Sequence, residues 1–523
     1  MSTAEPQRDT HAGAPHVDAA HGGGGAGPLV RALLSTSTGN AGQQALSLAI
    51  TFALASLLAP DQFGTVATVG SVLTLGTLLV DQGLGTAVVQ KRDLRDEHLD
   101  ACFWLTLGIG LISGLCMLML AGPFAILTGM PGVESLTRVL WIVLPIQGLT
   151  IVQQALLRRQ MRFGALAMRG LAATAAGGVA GVTLAALGAG VWALAGQLLA
   201  DAVVGLALLW HASTWRPRAR VRLAPARELL HTSGFVLLTS LGTYMTRRAD
   251  ALLLALFLPP AAIGLFRMGV RLKDSVMMLT MRPVQAVALS VLAPVAHDMP
   301  RLHATARRLI TASLLASLPL LGWMAAASPW TLALLGEAWV PALRAVQILA
   351  IWGALEAVTT FADSLLIARG RPGIPAAIVW SSGIASVGAM LCAAWLTRHE
   401  SAGVQAASVA LSRAVLHSIT VLPLTLFVLA RHAGLTPSQI LGRARVPLLC
   451  AGSAAACAVV LARVIPPEIG WRHAYVSIPA ILLVGMCAVL PLPLDPVARS
   501  VARALVRRVR SRLSVHAGTA GEA

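Results

Sequence analysis

Residues 244–260 read YMTRRADALLLALFLPP. The stretch is apolar enough to cross a bilayer, yet Arg247, Arg248 and Asp250 lie inside it. A charged side chain near a bilayer centre costs about 2.5–3.5 kcal/mol on insertion scales. Beyond the Pro259–Pro260 turn, charge returns at Arg267, Arg271, Lys273 and Asp274. Two neighbouring apolar segments that both carry cations read as membrane helices with a reason to keep charge inside.

The rest of the chain repeats the apolar pattern. Of 523 residues, 56% are hydrophobic and only 12% are charged, against about 25% charged in soluble domains. Lipid as solvent accounts for the difference. Helices are the expected element, because each satisfies its own backbone in a bilayer. Apolar runs predict fourteen spans, at 38–58, 63–88, 101–122, 139–157, 164–187, 190–211, 232–257, 262–290, 309–329, 345–368, 374–396, 403–430, 446–464 and 474–494. The fold class is all-α, a polytopic membrane protein. Residues 1–35 are small and polar, with GGGGAG at 22–27 and no early apolar core. They read as a disordered tail without a cleavable signal, and His11, His16 and His21 belong to it rather than to a metal tract. The six cysteines sit in or beside apolar runs with no CxxC pair. They predict neither a metal site nor a disulfide frame.

A net charge of +18 suggests nucleic acid until it is mapped. The loops on one side of the fourteen spans, together with the side's tails, hold most of the cations; nineteen Lys and Arg fall in those loops and five in the opposite ones. The positive-inside rule places that side, and both termini, in the cytoplasm. The segment 499–513, RSVARALVRRVRSRL, has six arginines with Val501, Leu505, Val506 and Val509 at helical spacing. It reads as an amphipathic helix on anionic lipid, not as a nucleic-acid arm.

Two pairs of segments repeat in order. LLAPDQFG (57–64) matches FLPPAAIG (257–264), and AGVWALAGQ (189–197) matches AGVQAASVA (402–410). Similar offsets predict two six-span lobes in the same orientation. The expected division is an N-lobe at 36–215, a cytoplasmic linker at 216–230, a C-lobe at 231–430, two further spans at 431–495, and a basic tail at 496–523.

Depth can be counted from the Pro259–Pro260 turn. At 1.5 Å per residue, Arg248 and Arg271 both lie roughly 15 Å from the outer face, near mid-membrane. Asp250 and Arg267 match in depth nearer the outside and can pair. Between 244 and 274, Arg247, Arg248, Arg267, Arg271 and Lys273 outnumber Asp250 and Asp274 by three. Surplus cations need water, a carboxylate from elsewhere or an anionic cargo. Arg suits phosphate because its planar fork donates two hydrogen bonds. Arg247, Arg248, Arg271 and Lys273 are therefore candidate substrate-binding residues. The bland alternative is snorkelling, or structural pairing with Asp81, Glu356 or Asp363. Asp81, Asp250, Arg267, Asp274, Glu356, Asp363 and Arg413 read as structural or coupling charges. Glu356 and Asp363 share a helix face, and Arg413 sits at a depth that can meet Asp363.

Several pieces together resemble the polysaccharide transporter family, the Wzx-like oligosaccharide flippases of the multidrug/oligosaccharidyl-lipid/polysaccharide exporter superfamily. They are LLAPDQFGTVA (57–67), DQGLGTAVVQKRDLRDEHLDACFW (81–104), LLRRQMRFGALA (156–167), GAGVWALAGQLL (188–199), RRADALLLALFLPPAAIGLFRMGVRL (247–272), LLGEAWVPA (334–342) and LLIARGRP (365–372). Relatives often carry Asn and Tyr where Ala249 and Phe266 stand, so polar contacts there are not carried over. The resemblance implies two six-helix lobes plus two C-terminal helices in a bacterial inner membrane. It implies a flippase, not an enzyme, that moves undecaprenyl-diphosphate-linked oligosaccharide by alternating access for exopolysaccharide or O-antigen assembly. It also implies a polysaccharide polymerase and chain-length proteins as partners. No GxxxxGK[ST] motif is present, and no cofactor is expected. The rival readings are a lipid II flippase and a cation-coupled small-molecule exporter on the same scaffold. The exporter would favour acidic cavity residues, the opposite of the surplus here.

Overall fold

The structure of the chain, a computed structural model, describes residues 28–81, 83–91, 93–218, 241–242, 244, 250–371, 373–467 and 473–492. Among these residues there is no strand. The first part contains α1 (Pro28–Ala55), α2 (Pro60–Asp81), α3 (Leu84–Gln90), α4 (Asp96–Met119), α5 (Ala121–Thr128), α6 (Pro131–Leu140), α7 (Val143–Gly148), α8 (Ile151–Arg159), α9 (Phe163–Ala186) and α10 (Val191–Ala212). The second contains α11 (Asp250–Leu254), α12 (Pro260–Leu292), α13 (Met299–Leu335), α14 (Leu343–Ala368), α15 (Gly373–Leu396), α16 (Ala402–Leu416) and α17 (Leu422–Ala433). Then follow α18 (Pro437–Leu441), α19 (Arg445–Val464) and α20 (Ala474–Val489).

Ten helices among the described residues are long and apolar enough to cross a membrane, and Gly42–Ala55 and Ala474–Val489 are shorter apolar helices. α12 is 33 residues long and is not among the ten; it carries Arg267, Arg271, Lys273, Asp274 and Arg282, the first four within its first half. The expected span at 232–257 is described only at 241–242, 244 and from Asp250 onward. Arg247, Arg248, most of the linker and the tail at 499–513 lie outside the described residues.

Three boundaries differ from expectation. α1 begins at Pro28, inside the stretch read as tail. Proline suits a first helical position because its missing N–H has no intrahelical partner there. The stretch 123–138, left between the expected spans 101–122 and 139–157, is helical in α5 and α6, divided at Gly129 with φ 64°. Its apolar residues find a buried face: Ala125, Val133 and Leu136 join cores that polarity counting along the chain cannot see. The expected single span at 63–88 is divided before Gly83, whose φ of 75° is left-handed and ends a helix cheaply only in glycine.

The helices form two bundles. α1 packs on α9, α9 on α10, and α4 on α7; in the second bundle, α14 packs on α12, α13 and α16. α19 and α20 pack on α13 and on each other. The bundles meet chiefly where α2 crosses α12. Here the repeated segments touch one another. A Cβ on Gly64 would stand 1.8 Å from the Pro260 carbonyl oxygen, and one on Gly264 would stand 1.8 Å from that of Pro60. Backbone meets backbone, as small residues permit between membrane helices. Beside this crossing, Trp339 Nε1 donates to the Ala55 carbonyl at 2.7 Å, and its ring meets Phe63 edge-on at 5.1 Å. One apolar core runs through this junction, from Val69, Leu73 and Leu136 to Phe266, Trp339 and Leu349.

Candidate functional site

Three helices of the second bundle put charge into its interior. On α14, Trp352 and Glu356 are one turn apart and Asp363 two turns further, so they share a face. α16 contributes Arg413. It then passes into a π-helical turn, His417–Val421, a feature concentrated at functional sites. α12 contributes Lys273 and Asp274.

The charges form a connected set. Asp250 is buried and accepts from Arg267 at 3.1 Å and from Arg413 at 3.4 Å. Lys273, buried to 2% exposure, contacts Glu356 at 2.7 Å and Asp274 at 3.0 Å. The Trp352 ring receives both cations, with Lys273 Nζ 3.8 Å and Arg413 Cζ 4.3 Å from its centroid. A cation over an indole face is attracted by the ring quadrupole, more strongly where water is excluded. Gly353 leaves room for this arrangement. A Cβ there would press on the Lys273 stem at 3.0 Å. Thr359 Oγ1 lies 3.3 Å from His417 Nε2.

Beside this set is a cavity of about 350 Å³ within the second bundle, in the range of about 300–1,000 Å³ usual for ligand pockets. Its walls include Lys273, Asp274, Arg282, Trp352, Glu356, Asp363, Arg413 and His417, with Met277, Met278 and Met281. The cavity is enclosed by α12, α14, α15 and α16, with the π-helical turn and α17.

The sequence-predicted residues that are described separate into four places. Lys273, Asp274, Glu356, Asp363 and Arg413 line the cavity. Asp250 and Arg267 pair at its edge, as their matched depths require. Arg413 bonds to Asp250 as well as facing the cavity with Asp363. Asp250 was not its expected partner, because the depth count could not show which helix α11 would adjoin. Arg271 lies at the edge of the cavity-lining face of α12, toward α1. Its guanidinium donates to Ser47 Oγ of α1 at 2.9 Å, across the meeting of the bundles. One turn further on, Gln44 of α1 donates to Ser275 of α12 at 2.7 Å. Asp81 stands apart at the exposed end of α2, and its Oδ1 accepts from the Gly85 N–H at 3.4 Å.

Sequence counting missed four contributors. Trp352 and His417 carry no sequence signal that separates them from core residues. Asp201 and Arg169 do, as lone charges in apolar spans. Thr174 Oγ1 donates to Asp201 at 3.5 Å and accepts from Gln43 at 3.2 Å, and Arg169 Nε donates to the Gly205 carbonyl at 3.3 Å. They give the first bundle its own polar set on α1, α9 and α10. The charge balance over 244–274 also omitted Glu356, which supplies a carboxylate to Lys273 from 83 residues away.

Residues 53–344 match the model of a family described as polysaccharide biosynthesis protein. The succinoglycan biosynthesis transport protein ExoT of Rhizobium meliloti (strain 1021) is 29% identical over 346 residues, 64% of this chain and 69% of that protein. The lipopolysaccharide biosynthesis protein WzxC of Escherichia coli (strain K12) is 23% identical over 331 residues, 61% of this chain and 66% of its own length. The chain thus spans about two thirds of the length of these curated relatives. Among solved structures, the lipid II flippase MurJ in an inward closed conformation superposes with TM-score 0.64 at 11% identity, over 87% of this chain and 98% of that one. An inward-facing multidrug resistance MATE family transporter of the MOP superfamily gives 0.59 at 16% identity, over 75% and 96%. At these identities the likeness is one of fold.

Proposed function

Because the chain belongs to the polysaccharide biosynthesis protein family and is a multi-pass membrane transport protein, we propose that it flips undecaprenyl-diphosphate-linked oligosaccharide units. The membrane is a bacterial inner membrane, with the basic loops and both termini in the cytoplasm. In this reading fourteen spans divide into two six-span lobes and a C-terminal pair. In this orientation the Gly64–Gly264 crossing lies at the outer face. The lobes are closed there, and transport requires them to part at that end.

The observation that carries the reading is Arg271. Its guanidinium is exposed at the meeting of the bundles, roughly 16 Å along α12 from Pro260. A guanidinium kept at that depth, held by Ser47 of the other bundle, sets a forked donor on the path between the bundles. A diphosphate matches its forked donors. The count of residues from the Pro259–Pro260 turn is the support for assigning Arg247 and Arg248 to the same path. Lys273 is tied to two carboxylates and acts by holding the cavity wall. Sugar hydroxyls then face the cavity's mixed donors and acceptors. A site that held cargo equally well in both lobe positions would shift nothing. Net direction therefore comes from an ion gradient or from consumption of the product outside, where a polymerase and chain-length proteins act.

The test is export. Arg271→Ala is expected to abolish polymer at the cell surface while the protein still reaches the membrane, measured by surface polysaccharide and membrane immunoblot. Normal export from this variant removes Arg271 from the path. Lipid II shares the diphosphate, so vesicles loaded with either lipid distinguish the two cargos. Faster flipping of lipid II would replace the oligosaccharide reading.

A further inference from the structure

We infer that Arg282 is the loading residue, the first contact of the cargo diphosphate, at the cavity mouth in the inner leaflet. The inference rests on the flippase reading above and on its orientation.

Most of the cavity's charges already have partners. Lys273 is bound by Glu356 and Asp274, and Arg413 by Asp250. Asp363 also has an interaction of its own. Arg282 differs. It lines the cavity, its side chain is exposed, and among the described residues it has neither an ion pair nor a hydrogen bond. Arg282 thus adds a cation to the cavity wall beyond the 244–274 stretch over which the surplus was counted.

Its depth selects the ligand. Arg282 lies 22 residues along α12 from Pro260, roughly 33 Å at 1.5 Å per residue. The hydrocarbon core is about 30 Å thick. The guanidinium therefore reaches the headgroup level of the cytoplasmic leaflet, where the phosphates of a carrier lipid lie. Arg282 is also eleven residues from Arg271, three helical turns, so both occupy one face of α12 with Ser275 and Met278 between them. Met278 of that face lines the cavity while Ser275 is buried against Gln44 of α1, so a diphosphate that docks at Arg282 advances through the cavity toward the level of Arg271.

Two phosphate-bearing lipids could meet Arg282 at this level, a diphosphate carrier and an ordinary anionic phospholipid. A forked guanidinium gains most from adjacent phosphates, so the carrier is the ligand proposed. The test uses full-length protein in nanodiscs and native mass spectrometry, with undecaprenyl diphosphate and phosphatidylglycerol as competing probes. Wild type should prefer undecaprenyl diphosphate. Arg282→Ala should weaken that lipid roughly tenfold to a hundredfold, the range of a lost charge-assisted bond. Phosphatidylglycerol binding should stay unchanged, and Arg282→Lys should fall between. An unchanged thermal unfolding temperature for the variants shows that the fold is intact, as expected for an unpartnered side chain. Equal binding of undecaprenyl diphosphate by wild type and Arg282→Ala overturns the loading role alone. Equal loss of both lipids makes Arg282 a general headgroup anchor and overturns it too. A wild type with no preference for the diphosphate lipid instead brings down the flippase reading on which this rests.

Discussion

Lys273 shows what one side chain costs in a bilayer and what answers the cost. Its ammonium is almost wholly buried, yet two carboxylates and an indole ring surround it. Removing one partner of a buried pair is expensive because the other charge is stranded. Lys273→Met should therefore lower stability by about 3 kcal/mol, at the lower end of that range because Asp274 is half exposed. The double variant Lys273→Met/Glu356→Leu should recover much of the loss. Thermal unfolding in detergent checks both; additive losses would mean the pair is not coupled. Arg271 is the opposite case, an exposed cation that donates to a serine hydroxyl of the other bundle. Its removal should spare stability and stop transport. The two residues are only two apart in sequence and face different surroundings, because 200° of helix separates them.

At the scale of elements, the crossing of α2 and α12 is the informative contact. The Pro–x–x–x–Gly segments that repeat in sequence are the ones that touch, each glycine under the other's proline carbonyl. That reciprocity is what a twofold-related pair of repeats produces when it meets at its own axis. A methyl group at either glycine cannot fit without parting the helices. Gly264→Ala and Gly64→Ala should each cost about 1–3 kcal/mol as overpacking, and Gly264→Leu more. Both should weaken export with the cavity residues intact. Wild-type stability and export in Gly264→Ala would mean that this contact does not close the lobes. α12 also explains why a charged helix is kept. One of its faces seals the bundles, another lines the cavity, and Arg271 marks the boundary between them.

For the whole molecule, the proposed cycle requires the closed end to open. Cysteines at Asp61 and Ala261, introduced after replacement of the native cysteines, should cross-link across the crossing. The cross-link should stop export and reduction should restore it. Export that continues through a complete cross-link would rule out opening at this end. Orientation is tested separately. Reporter fusions at residues 93 and 216 should read cytoplasmic, and one at 344 periplasmic.

Much of this was legible in the chain itself. Apolar length declares membrane helices because the bilayer sets their dimensions. The repeat at 57–64 and 257–264 announces two like halves, and depth counted from one turn is enough to pair Asp250 with Arg267. These are local or one-dimensional properties, and one dimension carries them. The partners of Lys273 and Arg413, the cavity within the second bundle and the meeting of the two glycines depend on which helices lie side by side. Hydropathy cannot specify that, because in lipid every helix flank is equally apolar. Close packing of small residues and the need of each buried charge for a partner select the neighbours, and both act only between segments distant in sequence.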